Sequence, residues 1–545
     1  MNTFKKKSLH AAVLAGLGAL GAAGTANAVH INPDGLGQVV IYPYFTVRNG
    51  NVTAMSIVNT TSLTKAVKVR FLEGKNSREV LDFNLFLSPQ DIWTGVVLPT
   101  TDGAKLETGD NSCVTPSDLF GDGTTAGTLR VDALGLPLNS FKNYQYTGSN
   151  VDNPTLNTLD RTREGYIEVI EMGIVIDATL TGFIKHNSAG VPANCAALDA
   201  YDGLSTAAAP AVKFPGTTYL ASPAGGLTGR ASLINSSNGT NYTYDVTVLD
   251  GWWAPAVPAP GNVPYSASGV TTPSISLQTG IDTVSNVFIT GRPDATPPIP
   301  AGVVRAVWPT SREAVSAVFM RDTIINEFVT DAATVSRTDW VITMPTKRDN
   351  IGVGTGTPNR PFSNNFASAT ATGACDAYTL GIFNREEGSL GATPGVLLPS
   401  PRPPAAAAPG QVLCWEANVV EFGTTGLLGS TNNFQLQGAA RTFGSTGATT
   451  TGAAFATASR RVLQGPNGWA FLGFGATTFA AAGQAAQSMT PTSATLSSST
   501  AAPAVVPGVH FGLPVIGAMF HNYTNTGVAS SYGGVIPHKY TRNIQ

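Results

Sequence analysis

Between Gly37 and Leu98 apolar and polar side chains alternate with a period of two over run after run, a pattern that fits strands with one buried side and does not fit helices. Val67, Val69 and Phe71 alternate with Lys68 and Arg70. Leu81, Phe83, Leu85 and Leu87 alternate with Asp82 and Asn84, and Phe86 alone spoils the polar side. Asn49-Gly50 lies between two runs rich in β-branched and aromatic residues and predicts a tight hairpin, since both residues accept positive φ. Turn chemistry at residues 59–62, 73–76 and 88–89 makes the other connections. The expectation is an antiparallel meander of four or five strands whose apolar face needs a second sheet to cover it.

The same signals return, more widely spaced, along the rest of the chain. Residues 165–184 read as a long strand pair or a bent strand, with Glu168 and Glu171 on opposite faces if it is regular. A second hairpin turns at Asn238-Gly239, with Tyr242, Tyr244, Val246 and Val248 alternating after it. Prolines crowd residues 254–302, which predicts either a linker or an extended wrap between an N-terminal sandwich domain (29–253) and a C-terminal β-rich domain (303–545). Asp91-Ile92-Trp93 before Pro99-Thr100 is echoed by Asp339-Trp340 before Pro345-Thr346, which suggests a duplicated sandwich. A Pro/Gly/Ala loop occupies 388–410, and a low-charge Ala/Thr/Ser segment lies near 476–506. The fold class expected is all-β: two sandwich-like antiparallel domains with long loops and little helix.

Residues 1–28 read as a signal peptide: Lys5, Lys6 and Lys7 precede an uncharged Ala/Leu/Gly run that ends in Ala26-Asn27-Ala28. No later stretch reads as a transmembrane helix. Only 12% of the 545 residues are charged and the net charge is −2, so nothing attracts nucleic acid or anionic lipid. In an oxidising compartment Cys113, Cys195, Cys375 and Cys414 should pair. Of three connectivities the simplest joins Cys113 to Cys195 and Cys375 to Cys414.

Sites for chemistry are sparse. His30, His186, His510, His521 and His538 form no H-E-x-x-H or i, i+4 pair, and no metal site is expected. No G-x-S-x-G elbow marks a serine nucleophile. Asp102, Asp118 and Asp122 sit in Gly-rich loops that could hold a structural Ca²⁺ through backbone carbonyls, although turn chemistry accounts for them as well. No other cofactor is expected, nor any catalytic residue. The aromatic residues offer more: Trp252-Trp253 closes the second hairpin, and Tyr42 and Tyr44 lie in the first strand. Adjacent strand residues face opposite ways, so one indole could meet a sugar ring or a partner while the other is core.

The blocks INPDGLGQVVIYPYFTVRNG, GYIEVIEMG, TDWVITMPTKR and FGLPVIGAMF, scattered along nearly the whole chain after residue 28, resemble a family of exported proteobacterial proteins to which no activity is assigned. The resemblance implies Gram-negative export, with an extracellular, outer-surface or periplasmic setting, and carries over no site residue. The function expected is that of a non-enzymatic surface or matrix component that self-associates or adheres to other surface proteins. A polysaccharide- or polymer-binding module is the alternative, and a hydrolase with an unrecognised site the third reading.

Overall fold

The computed structural model describes residues 28–121, 131–132, 134–203, 214, 218–254, 265–277, 280–290, 299–369, 373–385, 411–423, 425–435, 466–475, 487–497, 508–524 and 531–545. The signal peptide up to Asn27, the 388–410 loop, Asp122 and most of 476–506 lie outside these residues. The fold is all-β, built of mainly antiparallel sheets with short helices.

The first sandwich packs an eight-stranded sheet on a five-stranded one. The larger sheet runs His30–Ile31, Thr247–Asp250, Val39–Thr46, Glu164–Val175, Lys65–Glu73, Glu79–Leu87, Cys113–Thr115, with Leu220–Ala221 paired to Glu164–Val175. The smaller runs Thr240–Asp245, Leu227–Asn235, Val52–Asn59, Ile92–Pro99, Ala104–Glu107. The expected meander is therefore divided between the two sheets, and the stretch supplies much of its own cover. Asn49-Gly50, at φ 53° and 77°, makes a corner from one sheet to the other and not the expected hairpin. The reason is in the strands on either side. Val39–Thr46 is buried at every position and suits a sheet covered on both faces, whereas Val52–Asn59 alternates between buried and half-buried and suits one open to solvent. Asn238-Gly239 does close a hairpin, with Asn235 opposite Thr240.

The larger sheet also corrects the expectation of one buried side: all nine residues of Lys65–Glu73 are buried. Helices Ala178–Ile184 and Ala196–Asp199 cover one end of the second face, where Ala66, Phe86 and Met172 pack with Leu180, Ile184 and Leu198. The disulfide Cys113–Cys195 fastens this cap, and a second joins Cys375 to Cys414. Part of the proline-rich region lies over the middle. There the Ala267 carbonyl accepts from Lys68 at 2.7 Å, and Asn84 Nδ2 donates to Tyr265 Oη at 2.9 Å. At the far end, Val39, Ile41, Leu72 and Ile170 meet helix Ser311–Phe319 and a small sheet of Val284–Ile289, Gly302–Val307 and Ser493–Ser497.

The second sandwich has two five-stranded sheets. One runs Gln411–Leu413, Asp376–Asn384, Asn467–Gly473, Thr323–Val329, Lys539–Thr541; the other Asn433–Gln435, Ala417–Glu421, Arg337–Thr343, Ala518–Thr524, Ser531–Pro537. The latter serves two cores. Trp340, Ile342, Val420 and Met519 face the partner sheet, while Val341, Val419 and Phe520 join the core of the first sandwich.

Candidate functional site

Many of the chain's few charges are used inside it. Across the second face of the larger sheet, Lys68 pairs with Asp82 at 2.7 Å, and Arg70 with Glu79 at 2.7 Å and Glu168 at 2.5 Å; at the end of the other face Lys65 pairs with Glu171 at 2.6 Å. The strand register places Glu168 directly opposite Arg70, while Asp82 and Glu79 reach Lys68 and Arg70 from diagonal positions on the neighbouring strand. Glu171 lies opposite Val67, on the face away from Arg70, and reaches Lys65 there, so Glu168 and Glu171 fall on opposite faces with separate partners. Burial pushes the Glu168 carboxyl up to about 7 against the pull of Arg70. At the junction of the sandwiches Arg161 spans Glu73 and Asp152, both at 2.7 Å, and Glu164 takes Arg48 at 2.8 Å together with Ser430 and Thr431. These are structural networks closed to solvent.

One place brings a serine, a histidine and an aspartate together. Ser88 Oγ lies 3.2 Å from His186 Nδ1, and Asp91 Oδ2 lies 3.7 Å from the same nitrogen. A hydrolytic triad needs the serine on one ring nitrogen and the acid on the other. Here both address Nδ1, and Ser88 donates its hydroxyl directly to Asp91 at 3.1 Å. The cluster is a turn lock: the Ser88 amide also donates to Asp91, at 2.9 Å. His510 is buried against Trp308, and burial lowers it to about 3. His538 lies under Trp340 at about 4, lowered for the same reason. Among the described residues no three His, Cys, Asp or Glu side chains gather as a metal site.

The aromatic residues picked out from sequence are corrected by burial. Trp252 and Trp253 are 0% and 2% exposed, and their indole N–H groups donate to the carbonyls of Ile275 at 2.8 Å and Glu171 at 2.9 Å. Both faces of that strand end are covered, so neither ring can serve as a platform. Tyr42 and Tyr44 are fully buried and donate to the Ser56 carbonyl at 2.5 Å and to Glu164 at 2.8 Å.

Two surfaces among the described residues are candidates. The outer face of the Val52–Asn59 sheet holds a shallow trough of about 640 Å³ floored by Ala54, Ser56, Thr94 and Ser232, with Arg230 and Glu107 at its sides. Asp245 neutralises Arg230 and Lys105 neutralises Glu107. The second surface is aromatic. On the outer face of the sheet that contains Asn467–Gly473, Trp469 is 42% exposed and stacks on Phe383, with centroids 4.5 Å apart at 16°. Phe471 lies over Gly381, where a Cβ would come within 2.1 Å of its ring. The glycine leaves room for the ring on the sheet, and Ile325 flanks it on the next strand. The sequence carried one signal for this site: Trp469 and Phe471 alternate with the equally apolar Ala470 and Leu472, so both faces of the strand are apolar.

No family model, curated protein or solved structure matches this chain. Among the described residues no helix is long and apolar enough to cross a membrane.

Proposed function

We propose that the protein is an exported, non-enzymatic component of a Gram-negative cell surface or extracellular matrix, working by association with copies of itself or with other surface proteins. The observation that carries this reading is the exposed aromatic strip of Phe383, Trp469 and Phe471 on a sheet face, where an indole and two phenyl rings stand partly in water. Large rings left on a surface mark a contact with something else. The leader-like start and the two disulfides support an oxidising destination outside the cytoplasm. Light scattering of the mature chain across a concentration series tests the reading. Mass should rise above the monomer, and a monodisperse monomer at high concentration would overturn it.

A second reading, a polysaccharide-binding module, draws support from Trp469 alone, since an exposed indole can stack on a sugar ring. Titration with glycans separates the two: a fluorescence shift lost in Trp469→Ala would favour the sugar, and no shift would remove this reading.

A further inference from the structure

We infer that the outer face of the sheet Asp376–Asn384, Asn467–Gly473, Thr323–Val329, Lys539–Thr541 is a two-fold interface that pairs with the same face of a second copy of this chain. This rests on the self-association reading and names the surface and the partner.

Strand register lays out the face. One row across it holds Phe383, Trp469 and Glu327; the next holds Gly381, Phe471, Ile325 and Lys539; the third holds Thr379, Gly473, Thr323 and Thr541. Residues directly opposite one another share a face, so these side chains all point away from the core of the second sandwich. The aromatic strip occupies one side. Glu327 and Lys539 are the only charged side chains in these rows. Both are exposed, and neither is ion-paired within the described residues.

Their positions make the face complementary to itself. Strands lie about 4.8 Å apart and alternate residues about 6.6 Å along a strand, which puts Glu327 and Lys539 roughly 8 Å apart on a diagonal. The line in the face that bisects this diagonal runs on past Phe471, one strand further in. A two-fold axis along that line sets Phe471 beside the partner's Phe471 and lays each Glu327 over the partner's Lys539. An isologous contact needs this kind of arrangement, an apolar centre with opposite charges exchanged by the axis. A surface bearing one positive and one negative charge is neutral as a whole. It offers little to a partner of single sign and two ion pairs to a copy of itself.

Analytical ultracentrifugation of the mature chain, with melting curves to confirm folding, tests the interface. Trp469→Lys should raise the dimer dissociation constant. Glu327→Lys alone, and Lys539→Glu alone, each replace two attractive contacts with two repulsive ones and should weaken the dimer about tenfold or more. The double variant Glu327→Lys/Lys539→Glu restores both pairs and should recover wild-type affinity. If the chain associates but the single charge variants match wild type, or the double variant fails to recover, this interface is wrong while self-association stands. If wild type is a monomer throughout, both go down together.

Discussion

At the scale of single residues the protein is unusual for what its few charges do. Arg161 donates from Nε and Nη2 to Glu73 at 2.7 and 2.8 Å, and from Nη1 and Nη2 to Asp152 at 2.8 and 2.7 Å. It also lies 4.3 Å from the centre of the Tyr146 ring. Arg161→Met keeps most of the volume and strands two buried carboxylates, which should cost about 3–5 kcal/mol in urea unfolding. A loss under about 1 kcal/mol would show that water reaches the cluster. Glu416 gives a pH signature. Burial lifts its carboxyl from 4.5 to about 8 against the pull of Lys347 and Arg348, and Glu168 is lifted to about 7. The folded chain then holds protons that the unfolded chain has released. These two groups therefore stabilise least at high pH, and their contribution falls as pH rises from about 4.5 to 8, by up to about 1.4 kcal/mol per unit each. His538 and His510, lowered by burial, act in the opposite sense, but only below their ordinary value of 6.5. Between pH 7 and 8 Glu416 adds to a decline that Asp339 shares, its carboxyl also raised by burial and by Glu421, and that Lys75, lowered by burial to about 8, opposes near pH 8. Glu416→Gln should lessen the decline, and an unchanged slope in denaturant titrations at pH 7 and 8 would refute the assignment.

At the scale of elements the corner between Val39–Thr46 and Val52–Asn59 decides how the sandwich closes. The buried Thr53 hydroxyl accepts from the Thr46 amide at 3.0 Å and donates to the Thr46 carbonyl at 2.9 Å, tying two strands that belong to different sheets. Thr53→Val keeps the shape and removes both bonds, so it should cost about 1–3 kcal/mol, while Thr53→Ser should cost less. Equal costs for the two variants would mean that packing, not the hydroxyl, holds the corner. This element also shows what could be read from sequence. Alternation is a local property, and it was enough for strands, for antiparallel sheets and for the all-β class. Which sheet a strand joins is not local. Asn49-Gly50 suits a hairpin and a corner equally, and the deciding fact is that Val39–Thr46 has no polar face. The charged faces misled for a related reason. Lys68 and Arg70 looked solvated because alternation does not say what lies over the polar face: Asp82 and Glu79 come from the next strand, but Glu168 and the Ala267 carbonyl come from stretches distant in sequence. The candidate surface was hidden in the same way. Trp252 follows the strand Thr247–Asp250 and Trp469 lies within Asn467–Gly473, each next to another apolar residue, and only the later layers of the fold cover one and leave the other exposed.

At the scale of the whole molecule the two sandwiches share a core. Phe520 of the second is 1% exposed and packs edge-on against Tyr242 and Tyr244 of the first, at 6.0 and 5.9 Å. Around it the Asn49 side chain donates to the Leu427 carbonyl at 2.9 Å, and Thr343 donates to the Pro43 carbonyl at 2.5 Å. Opening this junction would expose apolar surface on both sandwiches and strand Glu164, which Ser430 and Thr431 help to solvate. Neither sandwich can therefore melt and leave the other's core intact. Calorimetry should show one transition with matching calorimetric and van't Hoff enthalpies. Phe520→Ala, which opens a cavity at the shared core, should lower that single transition as a unit, by about 3–5 kcal/mol. Two separate peaks, with only the one for the second sandwich moved by the substitution, would mean that the halves stand on separate cores and that the junction is a surface contact.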